Sequence, residues 1–151
     1  MQKFYFVYVF VLRIMSETTA VITFGTFDLC HVGHVRILKR AAALGNRLVV
    51  GVSSDKLNQQ KKNKLPIYNE TERMEIIGSL KCVDHVFLEE SLEEKPTYIK
   101  QFSANVLVMG DDWLGKFDDM PCEVVYEPRT PTISTTAVIE QITESTKSMG
   151  T

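Results

Sequence analysis

The chain has little from which to build a metal centre or a disulfide frame. Its three cysteines stand singly at positions 30, 82 and 122. That spacing makes no redox pair and no zinc cluster, and it fits a reducing compartment. Only three histidines are present, and His85 is far from the other two, so a third and fourth zinc ligand are missing. No charge of one sign dominates. The net charge of −2 gives no basic field for nucleic acid. No apolar run approaches the roughly 20 residues of a membrane span, since the longest, Phe4 to Leu12, is much shorter. Internal repeats, low-complexity tracts and a linker to a second domain are also missing.

What is present fits one soluble α/β domain. The 151 residues are 44% hydrophobic and 24% charged, enough to bury one substantial core. The N-terminal MQKFYFVYVFVLRI is read as an extension, residues 1–14, outside a domain that starts near Met15 and runs to 144. The alternative is a membrane-surface tether, because an exposed run of this kind is otherwise an aggregation hazard. Residues 145–151 are polar and expected to fray.

The chain is organised around Val21-Ile22-Thr23-Phe24-Gly25-Thr26-Phe27-Asp28-Leu29-Cys30-His31-Val32-Gly33-His34. Ala20 to Phe24 reads as a buried strand, Gly25 opens a turn, and two histidines three apart stand where a helix begins. Val35, Leu38 and Ala42, with Ile37, Ala41 and Leu44, give that helix its buried side. A helix N-terminus carries unpaired N–H groups and partial positive charge, and so attracts phosphate. Gly33 leaves room near the first turn. His31 and His34 can donate to phosphate oxygens whether neutral or protonated.

Arg47 to Val52 reads as a central parallel strand. Ser53 to Pro66 reads as a polar, mobile loop with Asp55, Lys56, Lys61, Lys62 and Lys64, whose lysines could close over a triphosphate. Asn69-Glu70-Thr71-Glu72 is a capped helix start. Asp84 is either a structural cap or a functional carboxylate. Asn105 to Met109 is another buried strand, ending at Gly110-Asp111-Asp112-Trp113. There the aspartates could bind Mg²⁺, orient a substrate or cap the turn, and the tryptophan could stack on a ligand or plug the core. A last strand, Cys122 to Tyr126, leads through Arg129 and Thr130 to a helix over Thr136–Thr143. The cap of that helix, with Arg129 as a bidentate grip, makes a second anion site.

GTFDLCHVGH resembles the G-T-F-D-x-x-H-x-G-H signature of the nucleotidyltransferases that share the H-x-G-H element. Gly110 to Asp118 (GDDWLGKFD) and Arg129 to Thr136 (RTPTISTT) narrow the resemblance to the glycerol-3-phosphate cytidylyltransferases, over about residues 19 to 144. It implies a single-domain Rossmann-like parallel sheet flanked by helices. It also implies transfer of CMP from CTP to glycerol 3-phosphate, Mg²⁺ bridging the phosphates, a cytoplasmic homodimer, and no nucleic-acid partner. Carried over residue by residue, His31, His34, Lys61 and Arg129 are catalytic. Gly25, Thr26, Phe27, Gly33, Asp111, Thr130, Ile133, Ser134 and Thr135 hold the nucleotide, and Asp28, Asp55, Lys81, Asp84, Asp112 and Trp113 the acceptor. No residue is assigned to a metal. Two positions depart from the family pattern: Lys81 stands for an arginine, which loses the planar fork, and Thr132 for a glycine, which strains the turn if positive φ is needed there. Adenylyl transfer, ethanolamine phosphate or choline phosphate as acceptor, and a silent nucleotide-binding protein are the alternatives.

Overall fold

A computed structural model describes residues 18–149; the apolar N-terminal segment, the start at Met15 and residues 150 and 151 lie outside them. Five strands form one sheet in the order β3-β2-β1-β4-β5, and every neighbouring pair is parallel. They are β1 (Ala20–Gly25), β2 (Arg47–Ser53), β3 (His85–Glu89), β4 (Ala104–Gly110) and β5 (Glu123–Glu127). Helices α1 (Val32–Ala42), α2 (Asp55–Lys62), α3 (Glu70–Gly78), α4 (Lys95–Gln101) and α5 (Thr135–Met149) connect or follow them. A 3-10 turn at Asp111–Trp113 leaves the end of β4.

The apolar runs of β1, β2 and β4 are continuous because both faces of the sheet are covered. Val21, Leu48, Val50 and Val106 pack with Leu38 and Ala41 of α1 and Ile77 of α3. Ile22, Val49, Leu107 and Met109 point the other way, onto Tyr98 and Ile99 of α4. Adjacent residues of one strand thus serve opposite layers. Strand order reverses between β1 and β4, so the crevice beyond their carboxyl ends is where an open parallel sheet takes its ligand. Register sets Gly25 beside Val52, Ser53 beside Glu89 and Gly110 beside Glu127 along that edge.

Two readings of the sequence change. The supposed loop after β2 is largely helix: Ser54 accepts from Leu57 N and caps α2, and Asn63 ends it in the left-handed region at φ 48°. Leu57 is the one strongly apolar residue among its eight, so no helical period was there to see. The final helix runs on to Met149 rather than fraying from residue 145. Its residues from 141 to 148 are exposed, so its last turns are helical without being packed.

Candidate active site

His31 is the N-cap of α1. Its Nδ1 accepts from Gly33 N at 3.1 Å, and His34 Nδ1 accepts from His31 N at 3.4 Å, a reciprocal cap built from two imidazoles. With both Nδ1 atoms accepting, each neutral ring carries its proton on Nε2. The rings stack at 3.8 Å between centroids, and Phe27 sets its ring against His34 edge-on at 5.4 Å. Phe27 holds that place with φ 52°, a left-handed backbone uncommon for a bulky residue. Gly33 is needed for close approach: a Cβ there would come within 2.8 Å of the His31 ring and 3.1 Å of Ile133.

Burial lowers both imidazoles from the ordinary 6.5. For His34 burial is the main cause, the neighbouring His31 adds to it, Asp28 opposes it, and the result is about 4. His34 is therefore a neutral donor at pH 7. An unfolded chain takes up this proton near 6.5 and the folded one only near 4, so the unfolded state binds more protons between those values. Stability from this group is complete above 6.5 and is lost as pH falls towards 4. At about 1.4 kcal/mol per pH unit, the gap between 6.5 and about 4 amounts to on the order of 3 kcal/mol. Denaturant unfolding at pH 7 and pH 4 is expected to show the wild type losing about that much more than His34→Gln. Equal losses in the two proteins would assign the acid sensitivity elsewhere.

A cleft of about 680 Å³ opens above this pair. It gathers the predicted Gly25, Thr26, Phe27, Asp28, Gly33, Asp112, Trp113, Arg129, Thr130, Ile133, Ser134 and Thr135 beside the two histidines. Ser134 accepts from Ala137 N at 3.1 Å and caps α5, which brings a second helix N-terminus to the same space. Thr135 Oγ1 donates to Asp28 O at 3.0 Å and ties that turn to the first motif. Thr130 Oγ1 is buried without a hydrogen-bond partner among the described residues. Arg129 reaches across to Asp112 at 3.8 Å, with both side chains well exposed.

Thr132 sits in this loop at φ 66°, so a β-branched residue occupies the left-handed region. Such strain costs about 1–3 kcal/mol, against about 0.5–1 kcal/mol for glycine's extra freedom in the unfolded chain. Thr132→Gly is expected to raise Tm by about 4 °C in a thermal scan. A lower Tm would show that the threonine is accommodated.

The other predicted residues lie elsewhere. Lys61, on the last turn of α2, turns from the cleft and sets Nζ 3.3 Å from Ser53 Oγ, while Lys62 and Lys64 line the cleft in its place. Asp55 is spent on structure, bridging Arg73 Nη2 at 2.7 Å and accepting from Glu70 N at 3.2 Å. Lys81 and Asp84 precede β3, at the amino edge of the sheet, where Asp84 accepts from Leu48 N at 2.7 Å. The cleft and those two residues are therefore at opposite ends of the strands. Asp111 is exposed on the 3-10 turn and lies outside the cleft lining. Even within the cleft, Asp28 is committed to structure: its carboxylate accepts from Ile67 N at 2.8 Å and Tyr68 N at 3.0 Å.

Two residues that the sequence did not single out support the first turn. Arg73 is wholly buried and donates to Thr26 O at 2.7 Å, Ser53 O at 2.8 Å and Tyr68 O at 2.9 Å. Asn58 Oδ1 accepts from Thr26 Oγ1 at 2.6 Å while its amide donates to Ser53 O and Ser54 O. Arginine on the buried side of an otherwise amphipathic helix was the available signal for Arg73.

A cytidylyltransferase-like family model matches residues 22–141. The glycerol-3-phosphate cytidylyltransferase of Bacillus subtilis (strain 168) is 48% identical over 124 residues, which cover 81% of this chain and 95% of the relative. That of Staphylococcus aureus is 40% identical over 124 residues, covering 81% and 93%. Among solved structures, a lipopolysaccharide core biosynthesis protein from Thermoplasma volcanium superposes with a TM-score of 0.62 at 25% identity, over 75% of this chain and 97% of the other.

Proposed function

Because the chain belongs to the cytidylyltransferase-like family, we propose that it transfers CMP from CTP to glycerol 3-phosphate, giving CDP-glycerol and pyrophosphate. The observation that carries this is the pair of neutral imidazoles capping α1 at the strand-order reversal, facing a second helix N-terminus across one cleft. Specificity for this acceptor rests on the two similar cytidylyltransferases and on the intact GDDWLGKFD string.

A phosphate oxygen of the acceptor attacks the α-phosphorus of CTP in line. A new P–O bond forms, the bond from that phosphorus to the bridging oxygen breaks, and its electron pair leaves on pyrophosphate. The nucleophile is already ionised, so the protein positions the reactants and stabilises charge. His31 and His34 donate from Nε2 to the oxygens of the α-phosphate, where charge grows. Arg129, with the N–H groups at the start of α5, holds the β- and γ-phosphates. Lys62 and Lys64 screen the triphosphate from the α2 side. Where Mg²⁺ accompanies the triphosphate, as such ions usually do, Asp112, which lines the cleft, would hold it and the ion would supply neutralisation of phosphate charge.

The same reading takes the protein as a cytoplasmic homodimer, with exposed Val32, Leu65, Ile67 and Leu114 offering apolar surface; light scattering reads its mass. No described helix is long and apolar enough to cross a membrane. Pyrophosphate release with glycerol 3-phosphate is expected to be faster with CTP than with ATP by about tenfold or more in kcat/KM. Equal rates, or release only with ATP, would contradict the cytidylyl assignment.

A further inference from the structure

Arg40 lines the main cleft and takes no part in the transfer steps. It stands on α1, in the last turn of the helix. A cation there ordinarily answers the negative end of the helix dipole, and Lys39 in the same turn serves that as well. Arg40 does something further. Its Nη2 donates to Pro128 O at 2.7 Å, and its Nε stands 2.8 Å from Glu127 Oε2 as an ion pair. One edge of the planar guanidinium thus holds two successive residues at the point where β5 ends.

Those residues begin the strap that carries the second anion site. From Pro128 to Ser134 the backbone is neither helix nor strand, so no ladder of backbone bonds fixes its path. Its far end is tied by Thr135 Oγ1, which donates to Asp28 O in the first motif. Its near end is tied by Arg40. Both ties run to the turn and helix that carry His31 and His34, so they set the strap against that pair. Arg129 depends on this. Its side chain is 72% exposed, and its ionic partner Asp112 stands at 3.8 Å, a contact too weak to place a guanidinium. The peptide unit between Pro128 and Arg129 is planar, and proline fixes its own φ. A donor on Pro128 O therefore sets the direction in which Arg129 leaves the strap. Fold stability does not account for the arrangement, because an ion pair so near the surface adds little.

We propose that Arg40 is a positioning residue for the triphosphate: by gripping Glu127 and Pro128 it aims Arg129 at the β- and γ-phosphates, opposite His31 and His34. The proposal rests on the cytidylyl-transfer reading, in which Arg129 holds those phosphates. Lysine is no substitute, since a single ammonium cannot match the two-point edge of a guanidinium.

Calorimetric titration with CTP and with CMP tests the grip. Arg40→Met is expected to weaken CTP binding about tenfold and to leave CMP within about twofold, because CMP lacks the phosphates that Arg129 holds. In an Arg129→Met background the same substitution should change CTP binding by no more than about twofold, since residues that act through one another are not additive. Arg40→Lys keeps the charge, loses the fork and should fall between wild type and Arg40→Met. Glu127→Ala serves if Arg40→Met does not fold. Glu127 is outside the cleft lining, so its loss reaches CTP only through Arg40, and about threefold weaker binding is expected. A thermal scan should place each folded variant within about 4 °C of wild type. Equal weakening of CTP and CMP would make Arg40 a direct contact to the nucleoside, and full recovery in Arg40→Lys would reduce it to a charge. Either overturns the proposal, as does an effect undiminished by Arg129→Met. Pyrophosphate release with glycerol 3-phosphate is followed in parallel. The expected binding pattern without turnover keeps the positioning role and removes the reaction. Turnover with CTP binding indifferent to Arg40 and Glu127 keeps the reaction and removes the role.

Discussion

His34→Ala is expected to lower kcat by about 10²-fold or more, the scale of losing one preorganised donor to a developing oxyanion. The ring is neutral at pH 7 because burial lowers its pKa to about 4, so what is lost is an oriented Nε2–H rather than a charge. His31 needs a different substitution, because it is also the cap of α1. His31→Ala removes both functions and costs about 1 kcal/mol of stability in addition. His31→Asn keeps a side-chain acceptor for Gly33 N and removes the donor into the cleft. It is expected to hold Tm near that of wild type while kcat falls by about 10²-fold. Steady-state kinetics and a thermal scan on the same samples separate these effects. Full turnover in His31→Asn would leave that histidine as a cap and nothing more.

Arg73→Met is expected to destabilise the fold by about 3–5 kcal/mol, because it strips a wholly buried donor from several acceptors, each costing about 1–3 kcal/mol when left unpaired. The arginine satisfies three backbone carbonyls, from Thr26, Tyr68 and Ser53, and the Asp55 carboxylate as well. Methionine fills much of the volume but leaves those acceptors without a donor. Thr26 belongs to the turn between β1 and α1, so the surviving enzyme should also show a lower kcat. Denaturant unfolding measures the first effect. A loss under about 1 kcal/mol would mean that water replaces the guanidinium at little cost.

The parts of the fold visible in sequence were those whose signal is local. β1, β2 and β4 announce themselves as apolar runs because each is covered on both faces. The start of α3 is visible in Asn69 and Glu72, whose reciprocal cap bonds are both 3.0 Å. The two helix starts that line the main cleft were legible for the same reason, since each lies in a contiguous string. α2 was not, because it has little apolar periodicity. Asp28 and Asp55 read as acceptor residues and Asp84 as either a structural cap or a functional carboxylate, and each is claimed by a partner distant in the chain: Arg73 for Asp55, Leu48 N for Asp84, and the amides of Ile67 and Tyr68 for Asp28. The buried Glu89–Lys95 pair was not singled out, because a lone glutamate and a lysine six residues on give no sign of burial in the sequence. Only the sheet and α4 together show that both are buried. Thr132 is an intermediate case: the sequence raised the question of a positive φ, and the backbone answers it at 66°.

The most direct test of cytidylyl transfer to glycerol 3-phosphate is kcat/KM for three acceptors, glycerol 3-phosphate, ethanolamine phosphate and choline phosphate, with CTP and fixed Mg²⁺. Glycerol 3-phosphate should lead each of the others by about tenfold or more, roughly 1.4 kcal/mol of transition-state binding, with CDP-glycerol as the product. A preference of that size for either ammonium-bearing acceptor would contradict the glycerol assignment.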